Sequence, residues 1–413
     1  MSVRAEAPRP HYARGQIITA RRLAILGMGL APVAVWLTLP PLTLDTIAAP
    51  VILGSVSALL GVAAITRGER RVGWGAVASG VLAIAAGVFA VQASSSNLKE
   101  VITWSTLISL GLAAATPLIF AAIGGMFSER SGVVNIGLEG MMLMGAFFGI
   151  WGADVTGSWY GGLLIGMVSG GLLALVHAYF SIHLRADQIV VGTAIIFLAY
   201  GITGYLYNDI YRSAGGTPPV LPEIPLVNLD FLASIPPEGL GDFLYKSFGD
   251  LSLMTWMAFA VVVLSSIFMF RTTWGLRVRS VGEHPRAADT VGIDVYRVRY
   301  ACVVFSGVLA AMGGAYLSIG YSHSFTEQMT SGRGFIALAA LIFGNWRPYG
   351  ALAACLLFGL STAFAPQLQN VEAWAPYGQL FAVLPYLLTI VVVAGVIGRS
   401  IPPAAVGRPY AKQ

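Results

Sequence analysis

Apolar stretches of about twenty residues recur along nearly the whole chain, each broken by a short polar, glycine- or proline-bearing segment. Crossing a bilayer core of about 30 Å takes roughly 20 residues of helix, at about 1.5 Å per residue. Inside lipid every backbone N–H and C=O must be satisfied without water, which leaves helices or closed barrels. A barrel would show segments of about ten residues with alternating polarity, and these runs do not alternate. The sequence therefore predicts an all-α polytopic membrane protein. Its charged residues, 10% of the chain against about 25% in soluble domains, agree with that reading.

Spans are expected near 23–39, 47–65, 72–93, 105–126, 133–151, 159–180, 189–208, 251–270, 300–320, 334–346, 349–365 and 378–397. The run at 334–346 is too short for a full crossing and suits a broken or re-entrant helix. With a cytoplasmic N-terminus and one crossing per run, only Lys99, Arg212, Lys246 and Arg333 of the 24 lysines and arginines fall outside. Basic residues favour cytoplasmic loops. The expectation is thus about 12 transmembrane helices, multi-pass, with both termini cytoplasmic.

Several chemistries have no machinery here. No Gly-Lys dipeptide exists, so there is no P-loop for ATP. No hydrolase motif and no spaced carboxylate pair lies within a span. The basic residues form no patch interleaved with aromatics, which argues against nucleic acid. Cys302 and Cys355 each sit in an apolar run and read as buried hydrophobes, so neither a disulfide nor a metal site is indicated. The polar, basic lead of about twenty residues is too long for a typical cleaved signal peptide.

Glycine placement is more informative. Gly162, Gly166 and Gly170 repeat every four residues along one span, as do Ser306, Ala310 and Gly314 along another. Small residues at this spacing let helix backbones approach closely, either as a rocking interface or as static packing. In the block Phe127-Ser-Glu-Arg-Ser-Gly-Val-Val-Asn-Ile-Gly-Leu-Glu-Gly-Met141, Asn135 and Glu139 are four apart and would share a helix face. Gly132, Gly137 and Gly140 make that helix easy to break, and broken helices at membrane depth line transport cavities. Glu139 must find protein, water or a partner, since a lone carboxylate in lipid is costly. A structural hydrogen bond and substrate contact both answer that need. In the segment Ser280–Asp294, Pro285 suits a first helical turn, Ala287 and Ala288 its continuation, and Gly292 its end. A short helix projecting there would serve as a docking knob or as a solvated connector.

Three segments together, F-S-E-R-S-G-V-V-N-I-G-L-E-G-M-M at 127–142, L-R-A-D-Q-I-V at 184–190 and G-E-H-P-R-A-A-D-T-V-G-I at 282–293, resemble permeases of nucleoside and simple-sugar ABC importers. These belong to the branched-chain amino acid and ribose permease superfamily. The likeness runs from about residue 100 to the end. It implies a cytoplasmic tail with three extra spans in 1–100. It also implies a permease core in 101–400 with an external loop at 209–250 and a cytoplasmic coupling loop at 271–299, then a cytoplasmic tail at 401–413. The core would carry inverted-repeat character. Glu283, Pro285, Arg286, Ala287, Ala288 and Gly292 resemble the coupling signature that docks on the ATPase, with Glu283 displaced upstream. The implied partners are a separate ATPase chain holding ATP-Mg, a second related permease and an extracytoplasmic substrate-binding lipoprotein in a prokaryotic cytoplasmic membrane. This chain itself would be no enzyme and would bind no cofactor.

An uncharged nucleoside suits a pathway with few ionisable groups. Asn135, Glu139, Gln188, Phe305 and Asn345 are the expected pathway residues. The alternatives are a sugar or branched-chain amino acid cargo on the same machine, an ion-coupled carrier or channel needing no ATPase, and a membrane scaffold.

Overall fold

The computed structural model describes residues 19–37, 47–92, 103–212, 222–235, 238–369, 383 and 400–412. The described residues before Trp104 form one compact unit and those from Trp104 onward form another.

The first unit holds α1 (Ala20–Trp36), α2 (Ala48–Thr66) and α3 (Arg70–Gln92), each packed on the other two. Gly54 lies against the Gly80 carbonyl and Gly61 against that of Gly73, so α2 and α3 touch backbone to backbone. The Ser57 hydroxyl sits 2.7 Å from the Gly27 carbonyl and 3.1 Å from that of Ala76, tying the three helices together. Close approach and interhelical hydrogen bonding are what hold helices together where lipid supplies no hydrophobic drive.

In the second unit α4 (Trp104–Arg130), α5 (Leu138–Thr156), α6 (Trp159–Ala178) and α7 (Gln188–Tyr207) come first. After a short helix α8 (Glu238–Leu244) follow α9 (Leu253–Arg271), α10 (Thr273–Glu283), α11 (Pro285–Thr290), α12 (Val295–Ala315), α13 (Arg333–Phe343) and α14 (Pro348–Gln369). Helix α6 runs on as a π turn to His183, α7 to Arg212 and α12 to Tyr321. Seven helices among the described residues are long and apolar enough to cross a membrane, and the chain is a multi-pass membrane protein. The expected span at 378–397 lies, apart from residue 383, outside the described residues.

Helix α12 is the hub, packed on α4, α5 and α6. A Cβ at Gly314 would strike the Met142 carbonyl, and one at Gly145 the Ala311 backbone. Along α6, Gly162 faces the Gly149 carbonyl, Gly166 that of Gly145, and Gly170 the Ala311 side chain. Ala310 is fully buried, and Ser306 presents its carbonyl to Gly124 of α4.

Three expectations need correction. The span expected at 133–151 starts at Leu138, and the one expected at 300–320 starts at Val295, where the Asp294 carboxylate accepts from the Arg297 amide at 3.0 Å. The fold is also not purely helical. Within the segment read as a loop at 209–250, β1 (Leu226–Asn228) pairs antiparallel with β2 (Asp250–Ser252), Val227 opposite Leu251. Leu251 is buried while its neighbour Asp250 is exposed, the in–out alternation a strand allows.

Candidate functional site

Helix α4 ends because Gly132 adopts a left-handed φ of +95°, a conformation glycine reaches at little cost. The chain then runs without helix to Leu138. Asn135 therefore precedes α5 and Glu139 lies in its first turn, so the two do not share the helix face expected of them. The break is held on all sides. The Ser128 hydroxyl donates to the Val133 carbonyl at 2.7 Å, and Arg299 Nε to the Ser131 carbonyl at 3.2 Å. The Val134 amide donates to Gln188 Oε1 at 2.7 Å, while His177 Nε2 donates to the Val134 carbonyl at 3.1 Å. Asn135 Nδ2 donates to Ser306 Oγ at 3.0 Å. Irregular backbone at membrane depth persists only where protein or water covers it, and these contacts supply that cover. Among the described residues, Asn135 Oδ1, Gln188 Nε2 and His177 Nδ1 are buried without a partner.

A second break lies across from the first. After the π turn of α12 the chain has no helix over 322–332, where Phe325 packs 5.2 Å from Phe147 and 5.3 Å from Tyr207 between ring centres. Helix α13 then adds 11 residues, about 16 Å, roughly half an apolar core. Its far end meets the end of α4: Arg130 Nε and Nη2 donate to the Trp346 carbonyl at 3.0 and 2.8 Å, and Trp346 Nε1 donates to the Glu129 carboxylate. Its start sits on Glu139. The Gly332 amide donates to Oε1 at 2.8 Å and the Gly334 amide to Oε2 at 2.6 Å. Glu139 is fully buried, and the positive end of a helix is where a carboxylate is stabilised. Gly334 has to be glycine-sized here, since a Cβ would meet the Glu139 backbone. Five non-glycine residues with positive φ, His323, Gln328, Ser331, Asn345 and Trp346, flank this half-helix. Such backbone strain concentrates at functional sites.

Of the five expected pathway residues, the structure gathers Asn135, Gln188 and Glu139 at these two breaks. Phe305 instead packs edge-on to Phe127 at 4.9 Å and lines an apolar groove of about 650 Å³ with Leu264, Phe268 and Trp274. Asn345 Oδ1 accepts from the Ile401 amide at 3.1 Å. Sequence reasoning missed His177, Gly332 and Gly334. It also missed the aromatic cluster of Phe147, Tyr207, Tyr211 and Phe325, in which the Tyr211 hydroxyl donates to Asp154 at 3.1 Å. The one available signal was a pair of glycines around Arg333 at the start of a run too short to cross.

Residues 107–393 match the family described as the branched-chain amino acid transport system permease component. The chain belongs to this family. It is 42% identical to the guanosine ABC transporter permease protein NupQ of Bacillus subtilis over 75% of this chain and 97% of that protein. It is 39% identical to the nucleoside ABC transporter permease protein NupC of Lactococcus lactis, over 76% and 99%. The putative glucose ABC transporter permease protein TsgC13 of Haloferax volcanii is 34% identical, over 71% and 92%. No solved structure matches significantly.

In this permease the loop expected at 271–299 contains two helices, α10 and α11. His284 Nδ1 accepts from the Ala287 amide at 3.1 Å, Pro285 opens α11, and Gly292 follows with φ +84°. Arg286, Ala287, Val291 and Gly292 are exposed, whereas Ala288 is buried. Glu283 Oε2 accepts from the Ala404 amide at 3.2 Å. The C-terminal segment crosses this face: the Ala405 amide donates to the Gly282 carbonyl at 2.9 Å and the Gly407 amide to the Gly132 carbonyl at 3.2 Å. Arg299 Nη1 donates to the Arg408 carbonyl at 3.2 Å. Burial and the neighbouring Asp289 carboxylate push the Tyr410 phenol above its ordinary value.

Proposed function

We propose that this permease is the membrane subunit of an ATP-driven importer that carries nucleosides. The observation that carries this reading is the likeness to the guanosine and nucleoside permeases over nearly their whole lengths. The site chemistry supports it. At the two breaks Glu139 is already satisfied by backbone amides, and Asn135, Gln188, His177 and Thr330 offer amide, imidazole and hydroxyl groups suited to an uncharged, hydroxyl-rich cargo. Two discontinuous segments meeting at mid-depth provide a place where the chain can alternate between outward- and inward-open states.

The finer organisation belongs to the same proposal: twelve crossings in a prokaryotic cytoplasmic membrane, both termini cytoplasmic, and inverted-repeat character in the core. Three leading spans precede that core. The exposed knob of Arg286, Ala287 and Gly292 docks on a separate ATPase that binds ATP-Mg. A second, related permease completes the pathway, and an external lipoprotein delivers the cargo. The glucose name of the relative from Haloferax favours a sugar as the second reading.

Uptake of labelled guanosine, adenosine and uridine by cells with and without the gene tests the cargo, with unlabelled ribose, glucose and leucine as competitors. Uptake lost on deletion and insensitive to these competitors is the expected result. Uptake abolished by glucose or ribose would replace the nucleoside with a sugar.

A further inference from the structure

Arg333 is a charge in an unexpected place. Its position in sequence suggests an external loop, but the fold makes it the first residue of α13. Helix α13 separates Arg333 from the Arg130–Trp346 contact by about 16 Å, roughly half an apolar core. Arg333 therefore lies near mid-depth, beside the two amides that hold Glu139. Among the described residues it forms no ion pair. Both Glu139 oxygens are taken by Gly332 and Gly334. Its own Nη1 curls back to the Met329 carbonyl at 2.9 Å and the Thr330 carbonyl at 3.3 Å. Among the described residues the edge formed by Nε and Nη2 carries no hydrogen bond. The hydroxyl of Thr330, whose carbonyl Arg333 bonds, is buried without a partner among the described residues.

A guanidinium at this depth is too costly to face hydrocarbon, so it faces a hydrated or protein-lined space. Its free edge offers two parallel donors in a fixed plane, which match two acceptors on one planar edge. Among nucleosides that pattern stands clear of the sugar in the 6-oxopurines, whose O6 and N7 both accept; cytosine also pairs two acceptors, N3 and O2, but its O2 adjoins the ribose-bearing N1. Adenine replaces one acceptor with an amino donor.

Resting on the nucleoside reading above, we propose that Arg333 is a specificity-determining residue that reads the O6/N7 edge of a 6-oxopurine nucleoside at the junction of the two breaks. Glutamine, whose amide pairs one donor with one acceptor, would match adenine instead. Lysine would keep the charge and lose the planar fork.

The test uses cells carrying the complete transporter and labelled guanosine. Inosine, which keeps O6 and N7, should compete as well as guanosine. Adenosine, cytidine and 7-deazaguanosine should compete about fivefold or more less well, the scale of one bidentate base contact. Arg333→Gln should lower the guanosine-to-adenosine uptake ratio by about fivefold or more. Arg333→Lys should shrink the penalty on 7-deazaguanosine while uridine uptake continues.

An unchanged guanosine-to-adenosine ratio in Arg333→Gln, or an unchanged 7-deazaguanosine penalty in Arg333→Lys, would overturn the assignment. So would equal loss of guanosine and uridine uptake in variants that assemble, because the charge would then serve passage in general. If neither variant assembles, the wild-type competition decides: 7-deazaguanosine competing as well as guanosine excludes the N7 contact. Absence of uptake of any nucleoside by the wild type would remove the underlying cargo reading, an outcome distinct from nucleoside uptake without preference.

Discussion

At the scale of single residues, Glu139 shows how a carboxylate can be kept at mid-depth without a cation. Both its oxygens accept from amides at the start of α13, and charge-assisted hydrogen bonds contribute about 1.5–3 kcal/mol each. Glu139→Gln would turn an NH₂ toward one of those amides and leave two donors facing each other in a buried place. The expected result is a clearly lower melting temperature of the purified protein in detergent, with the helical content unchanged. A variant that melts with the wild type would show that the cap contributes nothing. Asn135 offers a milder case, since its Nδ2 already satisfies Ser306 Oγ. Asn135→Leu should reduce uptake while the complex still assembles, read by transport beside co-purification.

At the scale of elements, the small-residue seams decide which helices touch. Gly314 has no room for a methyl group against the Met142 carbonyl, whereas Gly204 on α7 has open space around it. Gly314→Ala can be accommodated only by separating α5 from α12, and overpacking of this kind costs about 1–3 kcal/mol. Gly204→Ala should instead hold or raise stability, by about 0.5–1 kcal/mol, through the helix preference of alanine. Thermal unfolding of the pair, measured side by side, checks the contrast. The repeats at 162, 166 and 170 and at 306, 310 and 314 were legible because spacing alone sets a helix face. The start of α5 was not, because residues 133–151 stay apolar straight through the break; only the left-handed Gly132 and its tertiary clamps end the helix. Hydropathy flagged 334–346 as short. It could not show that Glu139 would cap it, because the pairing spans 193 residues of sequence. Phe305 and Asn345 were chosen by chemistry alone, and nothing local revealed that one faces an apolar groove and the other the C-terminal segment.

At the scale of the whole molecule, a permease working as proposed must connect the face that docks the ATPase to the breaks proposed to pass cargo. The contacts of residues 400–412 link the two. One stretch of backbone bonds Gly282 and Glu283 at the end of α10, Gly132 at the first break and Asn345 beyond α13. Displacement of α10 and α11 is therefore not local to their loop. This gives a sharp test of whether α11 is the docking knob. Ala287 is exposed and Ala288 is buried, although both belong to the same short helix. Ala288→Glu would bury an unpaired charge and should destabilise the isolated permease, since such groups are not tolerated without a partner. Ala287→Glu meets only solvent in the isolated chain, so its melting temperature should stay with the wild type. In the complete transporter the same substitution places a charge in the docking contact and should abolish uptake together with cargo-stimulated ATP hydrolysis. Full uptake by Ala287→Glu would mean that no ATPase engages this helix, and a carrier working without one would then be the better description.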